Sequence, residues 1–349
     1  MFLKFLRQSA FCFVLVCISY LIYLFPFIFY FELLSIYIPP QLQLFLTGIV
    51  TLLVFIYFRT TITFLPLKLF VYAGMAVGFY GLLITGVTYA VLLIFPNVLM
   101  IYLMPLSLVA VLLYGHFNSR RLLCKDLSFI NQKITRPASF AFISDIHLGS
   151  QSQSHLKRIL DLIRHRSVEA LIIGGDLIDS SSFDLTNLLV LNELAIPIFF
   201  VTGNHEYYLK DSINKIKCLE SYGIKIIDET YFDALGVQWI GIGDNQSDDQ
   251  KLDWLRSVPS SNLFSILVVH QPSLWPKAAS LCDLMLSGHT HAGQMAPFQW
   301  LVQIQFKFYK GLYKFNDSFL YVSSGAGCWG PQVRVGSTNE VVFIKLRPN

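Results

Sequence analysis

Charge is the scarcest property of this sequence. Lys, Arg, Asp and Glu make up 14% of its 349 residues and hydrophobic residues 54%, whereas soluble domains carry about 25% charged residues. The shortage is local. From Met1 to His116 the only charged side chains are Lys4, Arg7, Glu32, Arg59 and Lys68, too few for a solvated surface. Beyond His116 the charge density is ordinary. Paired cysteines are missing as well. Cys12, Cys17, Cys124, Cys218, Cys282 and Cys328 include no CxxC spacing, which argues against a zinc finger and against a disulfide framework. Nor is there a basic run. The net charge of +4 is small and scattered, so no nucleic-acid partner is expected.

What is present in the first third is long apolar sequence. A spanning helix needs about 20 apolar residues, and four stretches qualify: about Phe5 to Tyr30, Leu42 to Phe58, Leu69 to Phe95 and Val98 to Gly115. Pro39-Pro40 breaks the first pair, and Pro96-Asn97 is a turn signal between the second pair. The first stretch is too long for a signal-peptide core, and no small-x-small cleavage site follows it. Lys4 and Arg7 precede the first span, Arg59 and Lys68 lie between the second and third, and Arg120, Arg121 and Lys125 follow the fourth. With four spans all three basic sites share one side. The positive-inside rule makes that side the cytoplasm. The expectation is a multi-pass protein of the inner (cytoplasmic) membrane with its globular part in the cytoplasm. Only Glu32 is ionisable near a span, so these helices read as an anchor rather than a transport path.

Three parts follow: a membrane region over residues 1–116, a basic linker over 117–134 and a globular domain over 135–349. In the last, strand and helix signals alternate. Strands are predicted at Ser139 to Ser144, Ala170 to Ile173, Ile196 to Val201, Val237 to Ile242, Phe264 to Val269 and Asp283 to Leu286, with β-rich stretches at Phe319 to Val322, Gln332 to Val335 and Val341 to Ile344. Helices are predicted at His155 to Arg166, Asp184 to Leu194, Lys210 to Ser221 (closed by Gly223) and Lys251 to Arg256. This pattern predicts an α/β domain with two packed β-sheets and helices outside.

Each polar motif sits just past the carboxyl end of an apolar strand, the edge where α/β sheets gather ligands. In order these are Asp145-x-His147, Gly175-Asp176, Gly203-Asn204-His205-Glu206, His270 and Gly288-His289-x-His291. Singly each has a bland reading as a capping Asp, a turn or a surface His. Together they hold five of the eight histidines. Mixed imidazole and carboxylate donors favour Mn, Fe or Zn over Mg or Ca.

The ordered motifs resemble the calcineurin-like metallophosphoesterase family, over about Phe140 to Leu346, and most nearly its bacterial branch with membrane segments ahead of the domain. Gly288 to Gln294 and Ser323 to Gly330 match stretches that recur there. The resemblance implies two divalent metal ions. Asp145, His147 and His291 would hold the first, Asn204, His270 and His289 the second, and Asp176 would bridge them through its two oxygens. His205 would be catalytic, giving a proton or hydrogen bond to the reacting phosphate and changing protonation near pH 7. Two cations about 3.5–4 Å apart clamp the attacking and leaving oxygens of an in-line displacement. The fold implied is a metallophosphoesterase-like sandwich of two mixed sheets.

The expected activity is hydrolysis of a phosphodiester or phosphoanhydride. Protein serine/threonine phosphatases carry a phosphate-binding arginine after the second motif, but here Asp179 is followed by Ser180. Met295 to Asn316 interleaves aromatics with Lys307, Lys310 and Lys314, a mixture suited to a membrane interface and to a lipid-linked phosphate. UDP-2,3-diacylglucosamine is one such substrate that the resembling branch implies. Arg334 is a candidate phosphate contact. A non-catalytic membrane sensor or scaffold keeping the fold would be marked by lost ligands, and no ligand position is lost here.

Overall fold

The computed structural model describes residues 2–59, 64–95 and 99–349. The chain divides into two compact units, Met1–Phe117 and Asn118–Asn349.

The first unit is helical: α1 (Phe2–Tyr23), α2 (Phe25–Leu33), α3 (Pro40–Arg59), α4 (Leu65–Ile94) and most of α5 (Met100–Ser119). Among the described residues four stretches are long and apolar enough to cross a membrane: Ala10–Leu33, Pro40–Phe58, Leu65–Ile94 and Met100–Ser119. The first is broken at Leu24. Pro26 has no N–H to give the Ile22 carbonyl four residues back. Gly78 of α4 packs so closely on that carbonyl that a Cβ there would collide with it. The Tyr23 hydroxyl donates to the Val71 carbonyl at 2.8 Å. The turn expected at Pro96-Asn97 lies outside the described residues.

The second unit holds two six-stranded sheets. One has the order β1 (Leu122–Ile130), β12 (Asn339–Arg347), β2 (Ala138–Ile143), β3 (Ala170–Gly174), β4 (Ile198–Val201), β5 (Ile224–Ile226). The other runs β10 (Gly311–Phe315), β11 (Ser318–Val322), β9 (Leu284–Ser287), β8 (Phe264–Val269), β7 (Val237–Ile242), β6 (Thr230–Ala234). Both are mixed. β2, β3, β4 and β5 pair in parallel, as do β7, β8 and β9.

Strand periodicity builds the layers, because alternate side chains point to opposite faces. Phe140 and Phe142 of β2 enter a buried cluster with Trp239, Phe264, Ile266 and Val268 from the other sheet. Ala141 and Ile143 point the other way, to Leu156, Ile159, Leu160 and Ile163 of α6 (Gln153–Arg164). Leu267 and Val269 of β8 meet Leu252 and Leu255 of α9 (Asp248–Ser257). Both faces of the central strands are thus buried, which is why they read as continuous apolar runs.

Three expectations are corrected. The segment 117–134 is more than a linker, for it contains β1, paired in parallel with β12 along nine positions from Leu122↔Asn339 to Ile130↔Arg347. Leu185–Leu194 is a 3₁₀ helix rather than an α-helix. Four of its five leucines fall at 185, 188, 191 and 194, matching three residues per turn, and Leu188 and Leu191 are buried. Gln332 to Val335 forms no strand. It makes one bridge, Met295↔Val335, and the inward Arg334 side chain occupies its surroundings.

Candidate metal centre

The structure brings all eight sequence-predicted site residues to one edge, where the carboxyl ends of β2, β3, β4, β8 and β9 meet. Asp145 and His147 follow β2, Asp176 follows β3, and Asn204 opens the short helix α7 (Asn204–Tyr208) after β4. His270 follows β8, and His289 and His291 follow β9. Asp145, His147, Asp176, His289 and His291 all adopt left-handed backbone conformations, with φ from 49° to 72°. Non-glycine residues rarely do so, at a cost on the order of 1–3 kcal/mol each. Five such residues at one edge place strain where side chains must be aimed. Glycines permit the crowding: a Cβ at Gly203 would collide with Asp176 Oδ1, and one at Gly288 with Asp145 Oδ2.

The donor atoms form sets that overlap. Asp145, His147 and His291 each offer one atom within 4.8 Å of the others, and so do Asp176, His270 and His289. A third set joins His147, Asp176 and His205. His147 Nε2 lies 3.0 Å from His291 Nε2, and His291 Nε2 is 3.6 Å from Asp145 Oδ1. In the second set His270 Nε2 is 3.2 Å from Asp176 Oδ2. His289 Nδ1 is 3.0 Å from Asn204 Oδ1 and 3.2 Å from His270 Nε2. Donor atoms sharing one ion at bonds of about 2.0–2.2 Å stand roughly 3–3.5 Å apart. The side chains therefore fit a pair of cations.

Asp176 stands between the sets, and one oxygen faces both. Oδ2 is 3.8 Å from His147 Nε2 and 3.2 Å from His270 Nε2. Oδ1 instead accepts the His205 backbone N–H at 2.9 Å. Oδ2 is thus the oxygen that faces both sets.

A surrounding layer of hydrogen bonds aims these rings. His270 Nδ1 lies 2.8 Å from the Gly174 carbonyl, so this nitrogen carries a proton and the ring is held with Nε2 turned inward toward Asp176. His147 Nδ1 points at Asp179 Oδ2, 3.7 Å away, and Asp179 is held by the Ser150 N–H and hydroxyl. Glu206 is buried and accepts three backbone N–H groups from two loops: Asp176 at 3.0 Å, Ile178 at 2.9 Å and Gly203 at 2.8 Å. Burial, then the neighbouring Asp176 charge, pushes its carboxyl up to about 8. Sequence reasoning passed over Glu206, although its place three residues after Gly203, reaching back to that N–H, is a helix-capping signal.

Arg334 is a different residue from the one expected. It is fully buried and donates to the carbonyls of Ser324, Gly327, Thr338 and His291. Its Nη2 also lies 3.2 Å from His291 Nδ1. Its Nε has no partner but is buried with the rest of the side chain, so Arg334 is a brace for the His291 loop and not a surface phosphate contact.

His205 faces the opening with 17% of its side chain exposed and Nε2 4.0 Å from Asp176 Oδ2. Burial lowers its pKa, with Asp176 partly opposing. The ring is therefore neutral near pH 7, where the sequence led us to expect a change of charge. Tyr208 and Trp329 flank it, with ring centroids 5.3 and 6.0 Å away. The Gln294 side chain fixes Trp329 by accepting its N–H at 3.1 Å and donating to its carbonyl at 3.1 Å.

Comparison with known proteins accords with this geometry. Residues 138–293 match the model of the calcineurin-like phosphoesterase family. A metallophosphoesterase of Campylobacter jejuni is 36% identical, over 64% of this chain and 62% of the relative. One from Helicobacter pylori is 33% identical, over 64% of each. The chain thus spans a little over three-fifths of the length of these relatives. A transmembrane protein with metallophosphoesterase domain from Danio rerio is 30% identical, over 59% of this chain and 52% of the relative.

Proposed function

We propose that this chain, which carries a calcineurin-like phosphoesterase domain over residues 138–293, is a membrane-anchored phosphohydrolase using two divalent metal ions to cleave a phosphodiester or phosphoanhydride. The observation that carries this reading is Asp176 Oδ2, faced at once by His147 and His270. Asp145, His147 and His291 would hold one ion, Asn204, His270 and His289 the other, with Asp176 between. Bound there, the cations supply Lewis-acid charge to phosphoryl oxygens and make water a better nucleophile.

The protein's own groups do the rest. Water adds to phosphorus and gives up a proton, the bond from phosphorus to the leaving oxygen breaks, and that oxygen takes up a proton from solvent. His205, neutral at the opening, would donate a hydrogen bond from its ring N–H to a phosphoryl or leaving oxygen and keep its proton. Asn204 contributes an oxygen donor without a charge that would repel the phosphate. The backbone N–H groups of His289 and His205, bonded to Asp145 and Asp176, hold both carboxylates in place.

Mn, Fe and Zn suit this donor set. Four apolar helices and the lysine and arginine pattern support a multi-pass inner-membrane protein with the catalytic unit in the cytoplasm. A lipid-linked phosphoester such as UDP-2,3-diacylglucosamine fits that placement. The test is a turnover screen of the purified full-length protein with Mn, comparing a chromogenic phosphodiester, a nucleotide-sugar and a lipid-linked diphosphate. Hydrolysis dependent on two metal ions per chain is expected. Metal far below two per chain together with no activation by Mn overturns the reading.

A further inference from the structure

The segment after the His291 loop carries a feature the chemistry does not use. Helix α11 (Gln299–Gln305) has no buried residue. Trp300 is 65% exposed, Leu301 59% and Ile304 82%. Spaced i, i+1 and i+4, these three share one helix face, so the exposure is a contiguous apolar strip and not scattered single residues. The chain then turns basic. Lys307, Lys310 and Lys314 are exposed, and none of them forms an ion pair among the described residues. Residues 295–316 contain no Asp or Glu. Helix and metal centre are neighbours, because the Phe306 ring that ends α11 packs edge-on against His289 at 5.3 Å.

Another protein would be expected to answer three lysines with acidic groups and also to cover an apolar strip. An anionic bilayer surface does both at once, taking apolar side chains below the headgroups while lysines meet lipid phosphates. The chain itself holds four helices long and apolar enough to cross a bilayer, so such a surface is at hand. We infer that α11 and the lysines after it dock on the surface of an anionic phospholipid bilayer, with Trp300, Leu301 and Ile304 inserted at the level of the headgroups. The mouth of the metal centre then opens beside the lipid surface, and substrates drawn from the membrane reach it without crossing water. This inference rests on the membrane anchoring in the proposed function but not on its chemistry.

The test uses the full chain reconstituted in phosphatidylcholine–phosphatidylglycerol bilayers containing acyl-brominated lipid, with tryptophan emission read for the wild type and for Trp300→Phe. Trp300 is one of five tryptophans. Bromine quenching is expected in the wild type and should fall in Trp300→Phe. It should fall likewise when Lys307, Lys310 and Lys314 are changed together to Glu, or when phosphatidylglycerol is omitted. Turnover of a soluble chromogenic phosphodiester by Trp300→Phe stays at the wild-type level, so loss of docking and loss of hydrolysis are read separately. Equal bromine quenching in wild type and Trp300→Phe overturns the inference. Iodide quenching of Trp300 would then mean a face open to water, and shielding from both quenchers would mean a protein partner or a second copy of the chain.

Discussion

Two residues at the metal edge separate chemistry from scaffolding. His205 is the one imidazole of the constellation whose proposed task is with the substrate and not with a cation. Changing it to Ala should leave two metal ions bound per chain and lower turnover by a factor on the order of 10²–10⁴, read as metal content alongside steady-state rate. An unchanged rate removes His205 from the mechanism. Arg334 should behave in the opposite way. Arg334→Met leaves four carbonyl groups without their donor, and each buried acceptor left unpaired costs about 1–3 kcal/mol. The expected result is a large drop in thermal midpoint, whereas a raised KM with unchanged stability would restore the substrate-contact role expected from sequence.

At the scale of elements, the joint between the sheets carries its own titration. Asp228 lies in the turn between β5 and β6, where the chain leaves one sheet for the other. It accepts the Thr202 N–H at 2.9 Å and the Thr202 hydroxyl at 2.6 Å. Burial first, then the charges of Glu229 and Asp244 against the opposing Thr202 bonds, raise it to about 6. In the unfolded chain it titrates near the ordinary value of about 3.9. Between about pH 4 and 6 the folded state therefore keeps a proton that the unfolded state has released, and this contribution to stability is lost as pH rises through that window. Its size is about 3 kcal/mol at most. Asp228→Asn should flatten the wild-type decline when thermal midpoints are compared from pH 4 to 7. Parallel curves would show that Asp228 does not titrate there.

Elements also differ in how far the sequence discloses them. β2, β3, β7 and β8 are mostly apolar runs, broken only by Ser139, Gln238 and Ser265, because both faces are covered, and they were legible almost to the residue. The candidate ligands stood out for the same reason, each a polar residue close after such a run. β1 was not legible. Its Lys125 and Asp126 stand on a half-exposed edge strand, where charge density alone suggests a linker. The three residues of β5 are too few to show a period. The helix at Leu185–Leu194 was legible, but its 3₁₀ form, marked by a threefold leucine spacing, was not distinguished. The left-handed turns at Asp145, His147 and Asp176 were not read from the sequence, because Asp and His adopt that conformation more often than most residues but still only rarely.

For the whole molecule, cations and folding should be linked. The candidate ligands draw on loops after five different strands, so ions that bound only the folded state would stabilise every one of those connections together. Removing metal with a chelator should lower the thermal midpoint and abolish turnover, and adding back Mn should restore both. No shift on chelation would mean that the loops are held without ions, by Glu206 and Arg334 alone. Orientation has its own check: a reporter active only after export, fused at Asn349, should stay silent, and activity would reverse the assigned side.

β12 lies between β1 and β2, although every other strand precedes it in the sequence. Until that segment has left the ribosome, β1 has no neighbour and β2 lacks one of its two. Domains commonly assemble as the nascent chain emerges, but here the first sheet must wait open-sided while the rest of the polypeptide is made. A chaperone or the translocation machinery would meet it in that state, with the Val342, Ile344 and Leu346 slot still unfilled.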